Sequence, residues 1–182
     1  DQSNRANELR KAGKYEEAIK IYKELWELDE NKFTAAGLLH CYRKQKKFEE
    51  AFELIKETKE RFQDFNWYKN EYSWTLISGC LNQLPDDPNT HDVVDIAFIN
   101  QIKDQFKDKA KFFDRLIAKA CIETDDLEVS EEIYERLTKN RKADWWLLHE
   151  YAKVMLESGK QREALKLMFN AANSPGPLKN KV

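Results

Sequence analysis

The sequence predicts an all-α protein built from about five helix-turn-helix hairpins of near-equal length. Three observations carry that expectation. Only five glycines and four prolines interrupt 182 residues, of which 35% are charged and 41% apolar, the balance of a helix-rich protein rather than of a sheet protein or a disordered tail. The stretch "AGKYEEAIKIYKEL" (12–25) returns as "QKKFEEAFELIKET" (45–58), with Tyr15, Ala18 and Tyr22 becoming Phe48, Ala51 and Ile55, each 33 residues on. Near the end, Gly159, Ala164 and Met168 keep the mutual spacing of Gly13, Ala18 and Tyr22. A period between about 20 and 50 residues is the mark of stacked repeats.

The elements follow in order. The first hairpin covers residues near 2–30, with Gly13 where the first helix must stop and a left-handed residue is needed. The second covers 31–64. The third, 66–108, opens with "WYKNEYSWTLI" (67–77), which matches "WLLHEYAKVML" (146–156) through Trp67/Trp146, Glu71/Glu150, Tyr72/Tyr151 and Ser73/Ala152, all 79 apart. That distance is two steps of 34 plus 11, and the surplus is the inserted loop 82–92, "NQLPDDPNTHD", whose prolines Pro85 and Pro88 exclude a helix. The second helix of this unit, within "DVVDIAFINQIKDQF", aligns poorly with the other copies. The fourth unit, 109–140, places Ser130, Tyr134 and Leu137 each 34 residues before Ala164, Met168 and Ala171, and carries Asp125 at the glycine position. The fifth covers 144–173. Asp126 and Asp144 stand where helix N-caps are expected. The array therefore occupies residues 1–173, and "SPGPLKNKV" (174–182) is a C-terminal linker or tail in which two prolines stop helix formation.

Two antiparallel helices approach closely only where the side chains between them are small. Ala18, Ala51, Ala118, Ser130, Ala152 and Ala164 supply that. Tyr15, Phe48, Tyr22, Tyr134 and Met168, three or four residues from them, share the buried face and fill between neighbouring hairpins.

On these residues the protein resembles a tetratricopeptide repeat (TPR) protein over nearly its whole length: the 34-residue step and the alanine-x3-phenylalanine element are marks of that family. The resemblance implies a right-handed α-solenoid with first helices lining a concave groove and second helices outside. Its usual task is to hold a peptide or partner protein without catalysis. The two-carboxylate clamp of TPR co-chaperones would fall on Ser3, Asn7, Gly37, Trp67 and Glu71; only Asn7 fits, so the clamp is rejected.

The groove stripe on the first helices reads Trp67, Asn70, Trp74 and Ile77, then Phe112, Arg115, Lys119 and Ile122, then Trp146, His149, Lys153 and Leu156; the first two units add Asn7, Arg10, His40 and Arg43. Aromatics beside cations suit a partner with apolar anchors and acidic groups. In the competing reading, Trp67, Phe112 and Trp146 fill seams between units and the cations are solvated neighbours. If the groove reading holds, replacing Arg115 and Lys119 with Glu weakens capture and leaves stability nearly intact.

Other chemistry finds no support. His40, His91 and His149 are scattered, and no glycine-rich phosphate loop or nucleophile motif is present. Cys41, Cys80 and Cys121 are odd in number and lack metal-ligand spacing, which suits a reducing cytoplasm and argues against a disulfide framework. The sequence calls for no cofactor and no metal. No apolar run reaches the ~18 residues of a membrane span. The net charge of -2 argues against general nucleic-acid binding. The expected function is a protein-interaction module or scaffold, not an enzyme. The alternatives are a helical-repeat RNA-binding module and the regulatory or sensor arm of a larger protein. No polar capping helix follows the last hairpin, so Leu167 and Phe169 are expected at an open end that a following domain or a second copy would cover.

Overall fold

The computed structural model describes residues 1–83, 96–139 and 143–175. Among these are ten α-helices, one 3-10 turn and no strand, an all-α helical repeat array. They fall into two compact units, residues 1–82 and 83–182. Most of the inserted loop 82–92, with His91, and the tail beyond residue 175 lie outside the described residues.

The first unit contains α1 (Gln2–Lys11), α2 (Tyr15–Leu28), α3 (Lys32–Lys44), α4 (Phe48–Phe62) and α5 (Asn66–Gln83). Asp1 caps α1 by accepting from the Ser3 N–H, and Arg10 and Lys11 complement its C-terminal dipole. Gly13, at φ 76°, turns the backbone into α2. In the next hairpin Lys46 makes the same turn at φ 56° without being glycine. Helix α2 is amphipathic, burying Ala18, Ile19 and Tyr22 on one stripe. Helix α3 is buried almost all round, from Thr34 to Leu39 and at Cys41 and Tyr42, because it is packed on both sides. Asn31 caps it, accepting from Phe33 and Thr34 N–H at 3.0 Å each. Successive helices α1 to α4 pack on one another, and α1 also touches α3, so first helices lie side by side. Helix α5 is fastened to α4 by a 2.6 Å hydrogen bond between the buried hydroxyls of Thr58 and Tyr68.

The second unit contains α6 (Ile96–Lys103), a 3-10 turn (Lys107–Lys109), α7 (Ala110–Glu123), α8 (Leu127–Thr138), α9 (Trp145–Glu157) and α10 (Gln161–Asn173), and from α6 onward each α-helix packs on the next. The helix that aligned poorly, α6, buries Ile99 and Ile102. Asp125 and Gly159 make the hairpin turns at φ 60° and 75°. Asp126 caps α8 by accepting from Val129 N–H. Asp144 departs from expectation: its carboxylate makes no capping bond to α9 and takes Lys111 Nζ at 2.8 Å instead.

The small residues Ala18, Ala51, Ala118, Ser130, Ala152 and Ala164 are all fully inaccessible, as close helix contacts require. At the end of the array Leu167 packs against Ala143, Leu148 and Ala171, contrary to its expected place at an open face. Leu165 and Phe169 on the same helix are 66% and 71% exposed.

Candidate functional site

In the first unit His40 and Arg43 stand one turn apart on α3 and reach the same carboxylate on α5. His40 Nδ1 lies 3.1 Å from Glu71 Oε1, and Arg43 Nη2 donates to Glu71 Oε2 at 2.7 Å. Burial alone would raise the Glu71 carboxyl; hydrogen bonds from His40 and Arg43 and the charge of Arg43 outweigh it and hold it below its ordinary range. The protein itself supplies, from its next repeat, an acidic partner for both side chains.

The second unit repeats the device. Arg115 on α7 donates to Glu150 on α9 through Nε, at 2.8 Å, and through Nη2. Lys119 Nζ stands 3.7 Å from the same carboxylate, and Tyr134 O–H donates to it at 3.2 Å. Burial opposes ionisation of both Glu150 and Arg115, yet their hydrogen bonds and mutual charge win, lowering the glutamate and raising the arginine. The register matches too: His40 precedes Glu71 by 31 residues and Lys119 precedes Glu150 by 31. Glu71 and Glu150 are already paired by the 79-residue match between α5 and α9, the one signal by which these acceptors could have been found from sequence. Because Arg115 neutralises a half-buried carboxylate, Arg115→Glu would oppose two negative charges, so stability would not stay intact.

The aromatic positions are half-buried and grouped. Phe112 stacks on Trp146 with centroids 6.2 Å apart, Lys111 Nζ lies 5.1 Å from the Phe112 ring, and the Arg115 guanidinium lies 4.8 Å over Trp146. In the first unit Phe33, Phe65 and Trp67 form a ledge, with centroid steps of 4.9 and 6.4 Å. Lys32 Nζ sits 4.9 Å over Phe65, and the Arg10 guanidinium 5.0 Å over Trp67. Phe33, 55% exposed, was missed as a site residue although it precedes Trp67 by 34 and so belongs to the same column. Of the remaining stripe residues, Asn70 and Lys153 are exposed, and Trp74 and His149 half-buried.

Asn7 and Arg10 occupy α1 beside Trp67, and an open cavity of about 420 Å³ is lined by Asn4, Asn7, Glu8, Arg10, Lys11 and Trp67. Asn7 Oδ1 accepts from Tyr22 O–H at 2.9 Å, and its amide donates to Ser3 O.

Residues 9–69, which run from the end of α1 to the start of α5, match the family model of the tetratricopeptide repeat. Residues 9–69 carry a tetratricopeptide repeat. No curated protein matches the chain. TPR proteins generally mediate protein–protein interactions and are typically non-catalytic. Cys41, Cys80 and Cys121 are buried, and burial pushes the Cys41 thiol up to about 12 and Cys80 to about 11, far from a reactive thiolate. Among the described residues no cluster of metal-ligating side chains occurs, and no helix is long and apolar enough to cross a membrane.

Proposed function

We propose that this protein is a non-catalytic interaction module holding a peptide or partner protein against the first-helix face of its repeats. Asn7, Arg10, Trp67, Asn70 and Trp74 serve in the first unit, and Phe112, Trp146, His149 and Lys153 in the second, while His40, Arg43, Arg115 and Lys119 are engaged by Glu71 and Glu150 and hold the repeats together. The supporting observation is the ledge of Phe33, Phe65 and Trp67, partly open rings with cations over their faces on a preformed helical surface. Rigid aromatic anchors lose little entropy on binding, and apolar side chains of a partner can lie on them. The buried free cysteines suit a reducing compartment, and we place the protein in the cytoplasm.

The test is selection of peptides from a random displayed library on the immobilised protein, followed by affinity measurement with Phe33→Ser and Lys32→Glu variants. Selected peptides should bind these variants about tenfold more weakly, the loss expected for a hot-spot anchor, while the melting temperature barely moves. No enriched peptide, or peptides indifferent to both substitutions, would count against the reading. Binding of single-stranded RNA that falls steeply with salt would favour an RNA-binding module instead.

A further inference from the structure

Counting back from the hairpin turn places the repeats in register. Glu150 stands nine residues before Gly159, the positive-φ turn residue of its hairpin; nine before Lys46, the turn residue of the second hairpin, stands Gly37. Arg10 and Asn7 stand three and six before Gly13, as Arg43 and His40 stand three and six before Lys46. Arg43 and His40 are met by Glu71. By the same rule Arg10 and Asn7 would be met by a side chain at position 37, where there is none.

The Tyr22 ring fills that place. A Cβ on Gly37 would stand 2.5 Å from Tyr22 Cζ, so no carboxylate of this protein can be mounted there without displacing the ring. Arg10 has its guanidinium over Trp67 and a neutral partner, the Tyr22 hydroxyl, in place of a carboxylate, and its Nε, like that of Arg43, is buried and lacks a hydrogen-bond partner among the described residues. A buried N–H on a permanent cation is costly to leave unpaired. The cavity beside it carries a second cation, Lys11, and two amides, Asn4 and Asn7, against the single carboxylate of Glu8, which is exposed.

From this comparison between repeats of one protein we infer that the Arg10 cavity receives a carboxylate of the bound partner, in the role that Glu71 and Glu150 play for the later repeats. The inference rests on the interaction-module reading and deepens it. Trp67 supports the face of the guanidinium, leaving its edge for the incoming oxygens. Arg10 is not among the positions of the rejected co-chaperone clamp, and the cavity is formed within the first unit. A carboxylate can come from an acidic side group or from the free carboxyl terminus of a peptide.

The test uses the whole protein and two short probes, a doubly capped Gly-Gly-Glu-Gly-Gly peptide and an acetylated Gly-Gly-Gly-Gly with a free carboxyl terminus, each beside its amide control (Gln, or a terminal amide). Titration is followed through the Arg10 Nε–H and Trp67 indole N–H signals by NMR. Carboxylate probes should shift both signals at millimolar concentration and the amide controls should not. Whichever probe binds more tightly identifies the source. Arg10→Gln should weaken probe binding by about tenfold or more, and Arg10→Lys by less, since lysine keeps the charge and loses the fork. Silence from both probes up to tens of millimolar, or shifts of the Trp67 indole that persist unchanged in a folded Arg10→Gln variant, would overturn the inference. Library peptides that bind the aromatic ledge but ignore Arg10 would refute it while sparing the interaction module.

Discussion

Truncating Glu150 to alanine removes the acceptor of two Arg115 hydrogen bonds, of the Tyr134 hydroxyl and of the Lys119 charge at once. The Arg115 side chain is 22% exposed and that of Glu150 16%, so both ions are largely withdrawn from water. Breaking one partner of a fully buried pair costs about 3–5 kcal/mol; the remaining solvent access of Arg115 argues for the lower end, about 3 kcal/mol. In a protein of this length that is a fall of roughly 6–12 °C in melting temperature, or a clear shift of the urea midpoint followed by circular dichroism. The Arg115→Met/Glu150→Leu double variant should recover much of the loss, because it removes the stranded charge together with its partner, and the coupling energy should fall within roughly 1–3 kcal/mol. A single variant that melts with the parent, or a double variant that loses the full sum of the two singles, would refute the reasoning.

Two further outcomes are expected. Glu71 and Glu150 have carboxyls held below their ordinary value of 4.5, so their stabilisation is fully present above that pH and is lost as pH falls through the depressed folded value. Urea midpoints of the parent should be steady from neutral to mildly acidic pH and drop below about 4.5, and the gap between the parent and Glu150→Gln should close over the same window; a gap that widens on acidification would contradict the assignment. Lys46 and Asp125 hold left-handed turns at φ 56° and 60°. Glycine there should relieve backbone strain by more than it adds in entropy of the unfolded state, a net gain of roughly 0.5–1 kcal/mol, larger at Lys46 because aspartate tolerates this region better. Chemical denaturation of Lys46→Gly and Asp125→Gly reads this directly, and destabilised variants would show that the turns depend on those side chains.

Much of the local fold could be read from residue spacing. The small residues from Ala18 to Ala164 marked close helix contacts, and Gly13 and Gly159 marked turns that are left-handed in the structure. Spacing works there because hairpin geometry repeats, and each position sees nearly the same neighbours. It failed where a residue has a choice of partner. Asp144 could cap its own helix or reach Lys111, and does the second. Arg43 and Arg115 could face a ligand or the next repeat; the pattern gave their column but not that Glu71 and Glu150 would arrive in front of them. Phe33 was overlooked because it opens its helix and lacks the flanking match that singled out Trp67, although its ring joins the same ledge. Spacing shows that Gly37 brings no carboxylate to Arg10, but not that the Tyr22 ring lies in the room the glycine leaves.

The placement of Glu71 and Glu150 also bears on how interchangeable the modules are. In a linear array whose neighbours touched only through oily surfaces, units could be reordered with modest penalty, since such contacts tolerate many partners. A carboxylate that must find its partner side chain 31 residues upstream acts instead as a key cut for one predecessor. Grafting the hairpin that bears Glu150 behind a module without such a partner would leave a desolvated anion at the junction, so these polar junctions encode the sequence in which the modules can be joined.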